Sequence, residues 1–343
     1  MSGDSQQAWA KRLANLGLAV QCRIASMLQD TFRAGSHSLA EAVAEEGGDR
    51  IYAIDREVEP ILEAEIAKWP AECFPLLLIA EGLGEDGRRV FGDATKPIRF
   101  HVIVDPIDGT RMLMYDKRSA WFLAAVAEAQ GEATSLADSV ASVLVELPTS
   151  RQTLTDVFLA TRETPTRGIR VEVGSVPAAL DSGIEFPVQP STAGDLQDGF
   201  LTVSSFFPGT RRLAAELAER IAEETGMVSP IPNLFDDQYI STGGQMVQLM
   251  TGRDRCVLDL RPIFNAILVR TGEERFIESH PYDLSGLLAL KQSGVVVTES
   301  RGKDLDAPLD VNTGVSWCGY ANESLRDLIA PIVCRFLDEH FMA

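Results

Sequence analysis

The sequence predicts a fold that combines helices and strands, of α/β or α+β class, and two observations support this. The first half begins with apolar residues at helical spacing and continues with short apolar runs typical of buried strands. The second half alternates strand-like and helix-like segments. At roughly 150 residues per domain, a chain of 343 residues predicts two domains. We expect them at 1–165 and 200–343, joined by a segment in which Pro, Gly and Thr interrupt any periodic pattern.

Three helices and four strands are predicted in the first half. The apolar spacing from Trp9 to Phe32 mixes steps of three and four, which favours one long helix. Asp55 is a natural N-cap for a helix that Pro70 ends. Several glycines between residues 82 and 92 predict a loop. The helices are expected at 8–33, 36–44 and 55–70, and the strands at 76–79, 99–104, 121–126 and 139–147.

The second half contains four helix patterns and three strand patterns. Gly226 ends the first of these helices, and Asn322 is placed to cap the last. Because strands and helices alternate here, we expect a mainly parallel sheet. The helices are expected at 211–226, 243–251, 283–291 and 322–336, and the strands at 200–203, 256–260 and 295–298.

Charge and cysteine content narrow the class of partner. With 31 basic and 50 acidic residues the net charge is −19, which argues against nucleic acid or an anionic membrane as partner. A small anionic substrate remains compatible if metal ions or helix N-termini attract it locally. Five scattered cysteines predict reduced thiols. Without a signal-like segment or a long apolar stretch, we expect a cytoplasmic protein.

The most specific segment is DPIDGT at 105–110, which directly follows an apolar strand. Its two aspartates lie three residues apart, and Pro106 fixes one backbone angle between them. A turn here can direct both carboxylates and the Ile107 carbonyl into one small volume. Oxygen ligands of this kind suit Mg²⁺, and the N–H groups of Gly109 and Thr110 can bind an anion. The alternative is an ordinary turn, because DP and DG are both common turn dipeptides.

Two further acidic clusters occur where strands or helices are expected to end or begin. Glu81 starts the first cluster, EGLGED at 81–86, directly after an apolar strand. The alternative interpretation is a solvated acidic loop. Asp283 lies in the second cluster, HPYDLSG at 280–286, at an expected helix start. Here the alternative is a simple N-cap.

In order and approximate spacing over residues 50–310, these clusters resemble the motifs of the inositol monophosphatase superfamily. This superfamily comprises Mg²⁺-dependent, lithium-sensitive phosphatases and includes the fructose-1,6-bisphosphatases. Segment 105–110 matches the DPIDGT signature at every position. Glu81 matches the first glutamate of the GEE motif, and YDLSG at 282–286 resembles WDxAAG. AIDREVE at 53–59 is similar to the TxxD helix start.

The chain also departs from the family pattern. Gly82 stands where the GEE motif has its second glutamate, and Tyr282 stands where WDxAAG has tryptophan. Glu85 is an alternative to Glu81 because it lies closer in sequence to the DPIDGT segment. The position at the end of the strand favours Glu81. Additional residues precede Asp283, in the region where the family carries groups that contact the substrate.

The resemblance implies a layered α-β-α-β-α sandwich of the sugar phosphatase type, with two or three Mg²⁺ ions per site. It implies that Glu81, Asp105 and the Ile107 carbonyl hold one ion. It further implies that Asp105, Asp108 and Asp283 hold another ion, so that Asp105 bridges the two.

The implied activity is that of a phosphomonoesterase that hydrolyses a small sugar or inositol phosphate with metal-activated water. Glu81, Thr110 and Asp105 are the implied catalytic residues, and Gly109 and Thr110 are the implied phosphate-binding residues. Fructose 1,6-bisphosphate and a nucleotide 3′-phosphate are alternative substrates. A catalytically weak protein that binds metal or sugar phosphate is a further alternative, motivated by Gly82. The expected partner is a small-molecule phosphate ester, and a homodimer is left open.

Basic residues offer few candidates for substrate contact. Arg111, Lys117 and Arg118 follow the DPIDGT segment without forming a clear basic cluster in the sequence. Arg211 and Arg212 follow a Pro-Gly-Thr turn and are candidates for substrate contact. The simpler interpretation of these two is a pair of solvated helix arginines.

Overall fold

The computed structural model describes residues 1–33, 42–46, 49–52, 54, 57–84, 86–175 and 177–342. Two large sheets alternate with helices in the order helix, sheet, helix, sheet, helix. The predicted α-β-α-β-α sandwich is therefore confirmed. The five cysteines form no disulfide. Among the helices of the described residues, none combines the length and the apolar character that crossing a membrane requires.

The first helical layer covers one face of the first sheet. It consists of α1 (Gly3–Arg33) and α2 (Glu59–Ile66). Leu13 and Leu16 of α1 are almost completely buried among apolar side chains of the sheet. Burying such a side chain contributes about 1.5–3 kcal/mol, so the apolar stripe of α1 holds this layer in place.

Two of the three helices predicted in the first half are confirmed. The third, expected at 36–44, is wrong for those of its residues that the structure describes. The helix predicted at 55–70 starts only at Glu59, and its expected cap Asp55 lies outside the described residues. The short helix expected at 36–44 ends in a strand instead. Residues Ala42–Glu46 form β1, which pairs antiparallel with β2 (Asp49–Tyr52). Residues 36–41 lie outside the described residues.

The first large sheet has eight strands in the spatial order β10-β9-β8-β7-β6-β5-β3-β4. Only β3 and β5 pair in parallel, and all other neighbours are antiparallel. Its strands are β3 (Leu76–Ala80), β4 (Arg88–Phe91), β5 (Phe100–Asp108), β6 (Ala120–Glu128), β7 (Ser139–Leu147), β8 (Leu154–Thr161), β9 (Thr164–Glu172) and β10 (Ile184–Phe186). The four predicted strands are confirmed.

Strands β8, β9 and β10 were not predicted, because their residues do not alternate in the usual way. Pro165 and Gly168 interrupt the pattern of β9. β10 pairs only with residues 168–170, so Pro165 needs no hydrogen-bond partner on that side. The first sheet thus continues into the segment expected to join two domains, and the division into 1–165 and 200–343 stays a prediction. The loop expected at 82–92 likewise contains β4.

The second sheet has five strands in the order β12-β11-β13-β15-β14. They are β11 (Gly199–Val203), β12 (Leu234–Phe235), β13 (Cys256–Asp259), β14 (Val296–Thr298) and β15 (Trp317–Tyr320). β11 pairs in parallel with β12 and β13, but β15 lies antiparallel between β13 and β14. The prediction of a mainly parallel sheet is wrong, because the unpredicted β15 enters from the opposite direction.

The remaining helices complete the layers. They are α3 (Thr110–Met114), α4 (Arg211–Glu224), α5 (Thr242–Met250), α6 (Arg261–Arg270), α7 (Leu287–Gln292) and α8 (Glu323–Met342). α5 and α7 fill the layer between the two sheets, and α4, α6 and α8 cover the outer face of the second sheet. The side chain of Asn322 accepts a hydrogen bond from the Leu325 N–H and so caps α8 as predicted. The helix expected at 283–291 is divided into a 3₁₀ turn, Tyr282–Leu284, and α7.

We expect Gly17→Ala to destabilise the protein although alanine favours helices by about 1 kcal/mol over glycine. A Cβ at Gly17 would lie 2.6 Å from side-chain carbons of Phe122 and Val145 in the sheet below α1. Such overpacking costs about 1–3 kcal/mol. Urea unfolding measures the change, with Ser26→Ala on the exposed side of α1 as control, expected to stay within about 0.5 kcal/mol of wild type. A more stable Gly17→Ala variant would show that the helix does not approach the sheet this closely.

Candidate metal centre

A bulge in strand β5 places two carboxylates on one face of the first sheet. Asp105 lies opposite Leu123 of β6, and Asp108 lies opposite Trp121. Residues three apart in a regular strand point to opposite faces. The extra residue of the bulge cancels that alternation, so both aspartates point to the same side. The sequence predicted that a turn after the strand would bring the two carboxylates together. In the structure, the bulge within the strand does so.

A third carboxylate joins them from the 3₁₀ turn Tyr282–Leu284. Carboxylate oxygens of Asp105, Asp108 and Asp283 all lie within 4.8 Å of one another. Asp105 is 2 % exposed and Asp108 is 6 % exposed, while Asp283 is half-buried. Within the described part of the chain, no Lys or Arg forms an ion pair with any of the three. Two of the three predicted acidic clusters therefore meet in one group.

Glu81 stands beside this group at the same edge of the sheet. β3 and β5 are parallel neighbours, and Ala80 is paired with Val104. Glu81 directly follows Ala80 and Asp105 directly follows Val104, so the two acids occupy neighbouring positions. The Glu81 side chain is exposed, and its charge acts on both Asp105 and Asp283. It lies outside the group of three that could hold one ion. Glu85, the sequence alternative, lies outside the described residues.

Asp108 is held by the start of α5. Its Oδ2 accepts hydrogen bonds from the Ser241 hydroxyl at 2.7 Å and from the Gly243 N–H at 2.5 Å. Its Oδ1 accepts one from the Thr242 N–H at 3.1 Å. A carboxylate offers about four lone pairs, so Asp108 retains one, on Oδ1, for a cation. The helix N-terminus therefore orients this carboxylate and limits it to a single further ligand bond.

Asp105 and Asp283 are less committed. Asp105 Oδ1 accepts one hydrogen bond, from the Ile107 N–H at 3.0 Å. Asp283 Oδ2 accepts one from the His280 N–H at 2.6 Å. Both carboxylates keep most of their lone pairs free. Their capacity agrees with the bridging position that the resemblance implies for Asp105.

Burial and mutual repulsion hold the protons on these acids more tightly. Burial raises the pKa of Asp105 well above its ordinary value, and the charges of Asp108, Glu81 and Asp283 raise it further. Burial also raises the pKa of Asp283 well above its ordinary value, with Asp108 as the main charged contributor. Burial raises the pKa of Asp108 to about 6 in spite of its hydrogen bonds. A divalent cation would relieve this repulsion.

The residues after Asp108 form a tight bend beside the group. Gly109 has φ of 95°, in the left-handed region that favours glycine, and a Cβ there would lie 3.0 Å from the Ile240 carbonyl oxygen. The Thr110 hydroxyl donates a hydrogen bond to the Ile107 carbonyl at 2.8 Å. The two predicted phosphate-binding residues thus follow directly on Asp108. Their roles stay predictions.

A buried ion pair that the sequence analysis missed stands next to the carboxylates. Arg261 donates two hydrogen bonds to Asp259, from Nε at 2.8 Å and from Nη2 at 2.6 Å. Asp259 is fully buried and Arg261 is 5 % exposed. Burial lowers the pKa of Arg261, but Asp259, then Asp283 and Asp108, more than offset this and raise it. Arg261 therefore remains charged beside the candidate metal centre.

Two phenylalanines lie against this arginine. The Arg261 guanidinium is 4.7 Å from the Phe206 ring centroid and 5.9 Å from that of Phe207. Arg111, which follows the DPIDGT segment, lies 5.2 Å from the Phe207 ring. Arg211 donates to the carbonyls of Ser205 and Phe206 and so supports the loop that carries these rings. Of the two arginines considered from sequence, Arg211 has this structural role, and Arg212 is exposed.

The residues that sequence reasoning missed had weak local signals. Ser241 caps α5 through a hydrogen bond from the Gly244 N–H, and Ser followed by a helical pattern is a recognisable cap. Nothing in the sequence connects that cap with Asp108. Arg261 lies in the segment that departs from the family pattern, so the resemblance assigned it no role.

We expect Asp105→Asn to stabilise the metal-free protein at pH 8 and to have little effect near pH 4. The raised pKa means that the folded state binds more protons than the unfolded state, so ionisation opposes folding above about pH 4. Melting temperatures measured in chelator across this pH range test it, with the exposed Asp304→Asn as control. A variant less stable than wild type at pH 8 would show that the carboxylates do not repel one another as described.

We expect Arg261→Met to lower the free energy of unfolding by about 3–5 kcal/mol, because Asp259 would be left as a buried, unpaired carboxylate. Asp259→Leu combined with Arg261→Met should recover most of that loss. Urea unfolding of both variants measures the two changes. Equal losses in the single and double variants would mean that packing, rather than the unpaired charge, dominates.

Solved structures share the fold of this chain at low sequence identity. SuhB, an extragenic suppressor protein from Bartonella henselae, has a TM-score of 0.58 and 16 % identity over 94 % of this chain and 98 % of its own. Fructose-1,6-bisphosphatase from Leishmania major has a TM-score of 0.65 and 11 % identity over 95 % and 94 %. A putative sedoheptulose-1,7-bisphosphatase from Toxoplasma gondii has a TM-score of 0.60 and 13 % identity over 94 % and 92 %.

Sequence comparison alone finds less. No protein-family profile matches the chain, and no curated protein sequence matches it. The structural neighbours also include inositol monophosphatases. The structural neighbours confirm, at the level of the fold, the resemblance inferred from the motifs. The shared fold is that of the inositol monophosphatase and fructose-1,6-bisphosphatase superfamily.

Proposed function

We propose that the protein is a Mg²⁺-dependent phosphomonoesterase that hydrolyses a small sugar or inositol phosphate. The observation that carries the proposal is the convergence of Asp105, Asp108 and Asp283 without a cationic partner among the described residues. Such crowding is costly unless cations relieve it. Structural neighbours named as inositol monophosphatases and sugar bisphosphatases support the same class of activity.

The donor set fits Mg²⁺. Every group is an oxygen, with no His or Cys in the cluster that could hold an ion, and Mg²⁺ prefers carboxylate and carbonyl oxygens. Asp105, Asp108 and Asp283 would hold one ion. Asp105, Glu81 and the Ile107 carbonyl would hold a second. A third ion, within the expected two or three per site, would need further ligands from water or substrate.

Bound Mg²⁺ would neutralise the phosphate charge and lower the pKa of a water molecule beside phosphorus. The chain's own residues then have distinct tasks. Glu81, exposed at the edge of the site, is placed to accept the proton of the attacking water. The Thr110 hydroxyl, fixed at the Ile107 carbonyl, orients that water. The N–H groups of Gly109 and Thr110 bind the phosphate of the substrate.

The second candidate function is a catalytically weak protein that binds metal or sugar phosphate. Gly82 favours it, because this chain lacks the second acidic side chain expected beside Glu81. The retention of Glu81, Asp105, Asp108 and Asp283 favours the enzyme, because a binding protein does not need the complete set.

Phosphate release from a panel of phosphate esters decides between these functions. The panel contains inositol, sugar and nucleotide 3′-phosphates and fructose 1,6-bisphosphate, each with Mg²⁺ and with chelator. We expect Mg²⁺-dependent turnover of a sugar or inositol phosphate that Asp105→Asn abolishes. Binding without turnover of any ester would support the second function, and turnover that survives in chelator would contradict the metal-dependent mechanism.

We expect Glu81→Gln to lower kcat at least ~10²-fold, the lower end for the loss of a general base. The backbone of Glu81 directly follows β3, so its side chain is held near the carboxylate group. Glu85→Gln should cost far less, because flexible glycines separate it from the strand. Both variants are measured at saturating Mg²⁺.

Matched controls make this comparison decisive. Asp86→Asn removes a neighbouring acid whose carboxylate accepts a hydrogen bond from the Arg88 N–H, and it should leave kcat within a few-fold of wild type. An inactive Glu85→Gln together with an active Glu81→Gln would place the catalytic glutamate four residues further along the loop.

A further inference from the structure

A cavity of about 580 Å³ lies between the first sheet and α5, and the metal-centre carboxylates do not line it. This volume is within the range of about 300–1,000 Å³ typical of small-molecule sites. The chain has far fewer basic than acidic residues, yet five cationic side chains line this one cavity. We call it the basic cavity, and its cations are Lys117, Arg118, Arg151, Arg170 and Arg253.

The two carboxylates that line the basic cavity are already engaged. Glu146 accepts hydrogen bonds from the Ser119 hydroxyl at 2.6 Å, the Gln152 side chain at 2.8 Å and the Asp156 N–H at 3.1 Å. Asp156 accepts two hydrogen bonds from Arg170, at 2.6 and 2.7 Å. Asp156 is therefore paired with one of the five cations, and Glu146, held by uncharged donors, is the one other carboxylate in the lining.

Two arginines of the wall each contact one acid beside the cavity. Arg118 pairs with Asp237 at 2.7 Å through a single nitrogen, and its guanidinium lies 3.8 Å from the Tyr239 ring centroid. Arg151 lies 3.6 Å from Asp116. A guanidinium has five N–H donors in all, so these pairs leave donors for another acceptor.

Lys117 and Arg253 have no such pairing. Both side chains are exposed, and neither forms an ion pair with a carboxylate in the described parts of the chain. Asp254 is the acid next to Arg253, and burial, followed by the charge of Asp237, raises its pKa to about 7. Asp254 is thus partly protonated at neutral pH and neutralises Arg253 only in part. Among the residues that line the basic cavity, five cations stand against two carboxylates, so the lining has an excess of positive charge.

We propose that the basic cavity binds a small molecule with two or more phosphate groups, and that this ligand acts on the metal centre through α5. Lys117 precedes β6 and Arg253 follows α5, so two separate segments each present an unpaired cation. A ligand with one phosphate for each of these cations would engage both segments. The volume accommodates a ligand of nucleotide size.

The contacts of α5 provide the link to the metal centre. Val247 and Gln248 of this helix line the basic cavity. The first residues of the same helix, Thr242 and Gly243, donate N–H groups to Asp108. Tyr239 also lines the cavity, and its carbonyl accepts the Ser241 N–H at 2.9 Å. A ligand that shifts or stiffens this segment changes how Asp108 is held.

Calorimetric titration of the metal-free protein with inorganic pyrophosphate tests the site. Without metal, the carboxylate group repels the probe, so binding there does not interfere. We expect binding that Lys117→Gln combined with Arg253→Gln weakens at least about tenfold. Lys96→Gln combined with Lys303→Gln removes the same charge from exposed positions elsewhere and should leave the affinity unchanged. No binding to wild type, or equal losses in both double variants, would overturn the proposal.

Hydrogen exchange of residues 239–250 tests the link. We expect pyrophosphate to slow exchange in this segment of the wild-type protein and not in the Lys117→Gln, Arg253→Gln variant. Binding without any change in this segment would overturn the proposed action on the metal centre. Both measurements use metal-free protein and no turnover, so their outcome is independent of the proposed phosphatase activity.

Discussion

The repulsion among three closely spaced carboxylates, two buried and one half-buried, governs the rest of the site. Asp105, Asp108 and Asp283 lie within 4.8 Å of one another, and among the described residues no cation pairs with them. The fold tolerates this arrangement because backbone N–H groups bind each carboxylate. A divalent cation would bind to the remaining lone pairs. It would also relieve the repulsion that contributes to the raised pKa values of Asp105 and Asp283.

The three carboxylates come together where two elements of the fold meet. A bulge in the first sheet aligns Asp105 with Asp108, and a 3₁₀ turn of the middle layer brings Asp283. The start of α5, also in the middle layer, fixes Asp108. Sheet and helical layer must therefore pack in one register for the group to form. Any metal binding at this group would therefore be coupled to stability through that packing.

A second electrostatic unit lies beside the three carboxylates. The buried pair Asp259–Arg261 places a permanent cation beside the carboxylates, and Phe206 and Phe207 cover it. Because Asp259 neutralises Arg261, the pair adds little net charge to the metal centre. The guanidinium is a fixed, planar group beside the three carboxylates.

Local patterns of residues are enough to predict the local parts of this protein. The apolar run before Glu81 and the DPIDGT segment identified two strand ends with oxygen ligands, and helical spacing identified most long helices. That Asp105 and Asp108 share a face follows only from the fold, because the bulge depends on pairing with β6. The fold also determines the antiparallel position of β15 and the clustering of cations in the basic cavity. These features join residues distant in the chain, and local propensity carries no information about such pairings.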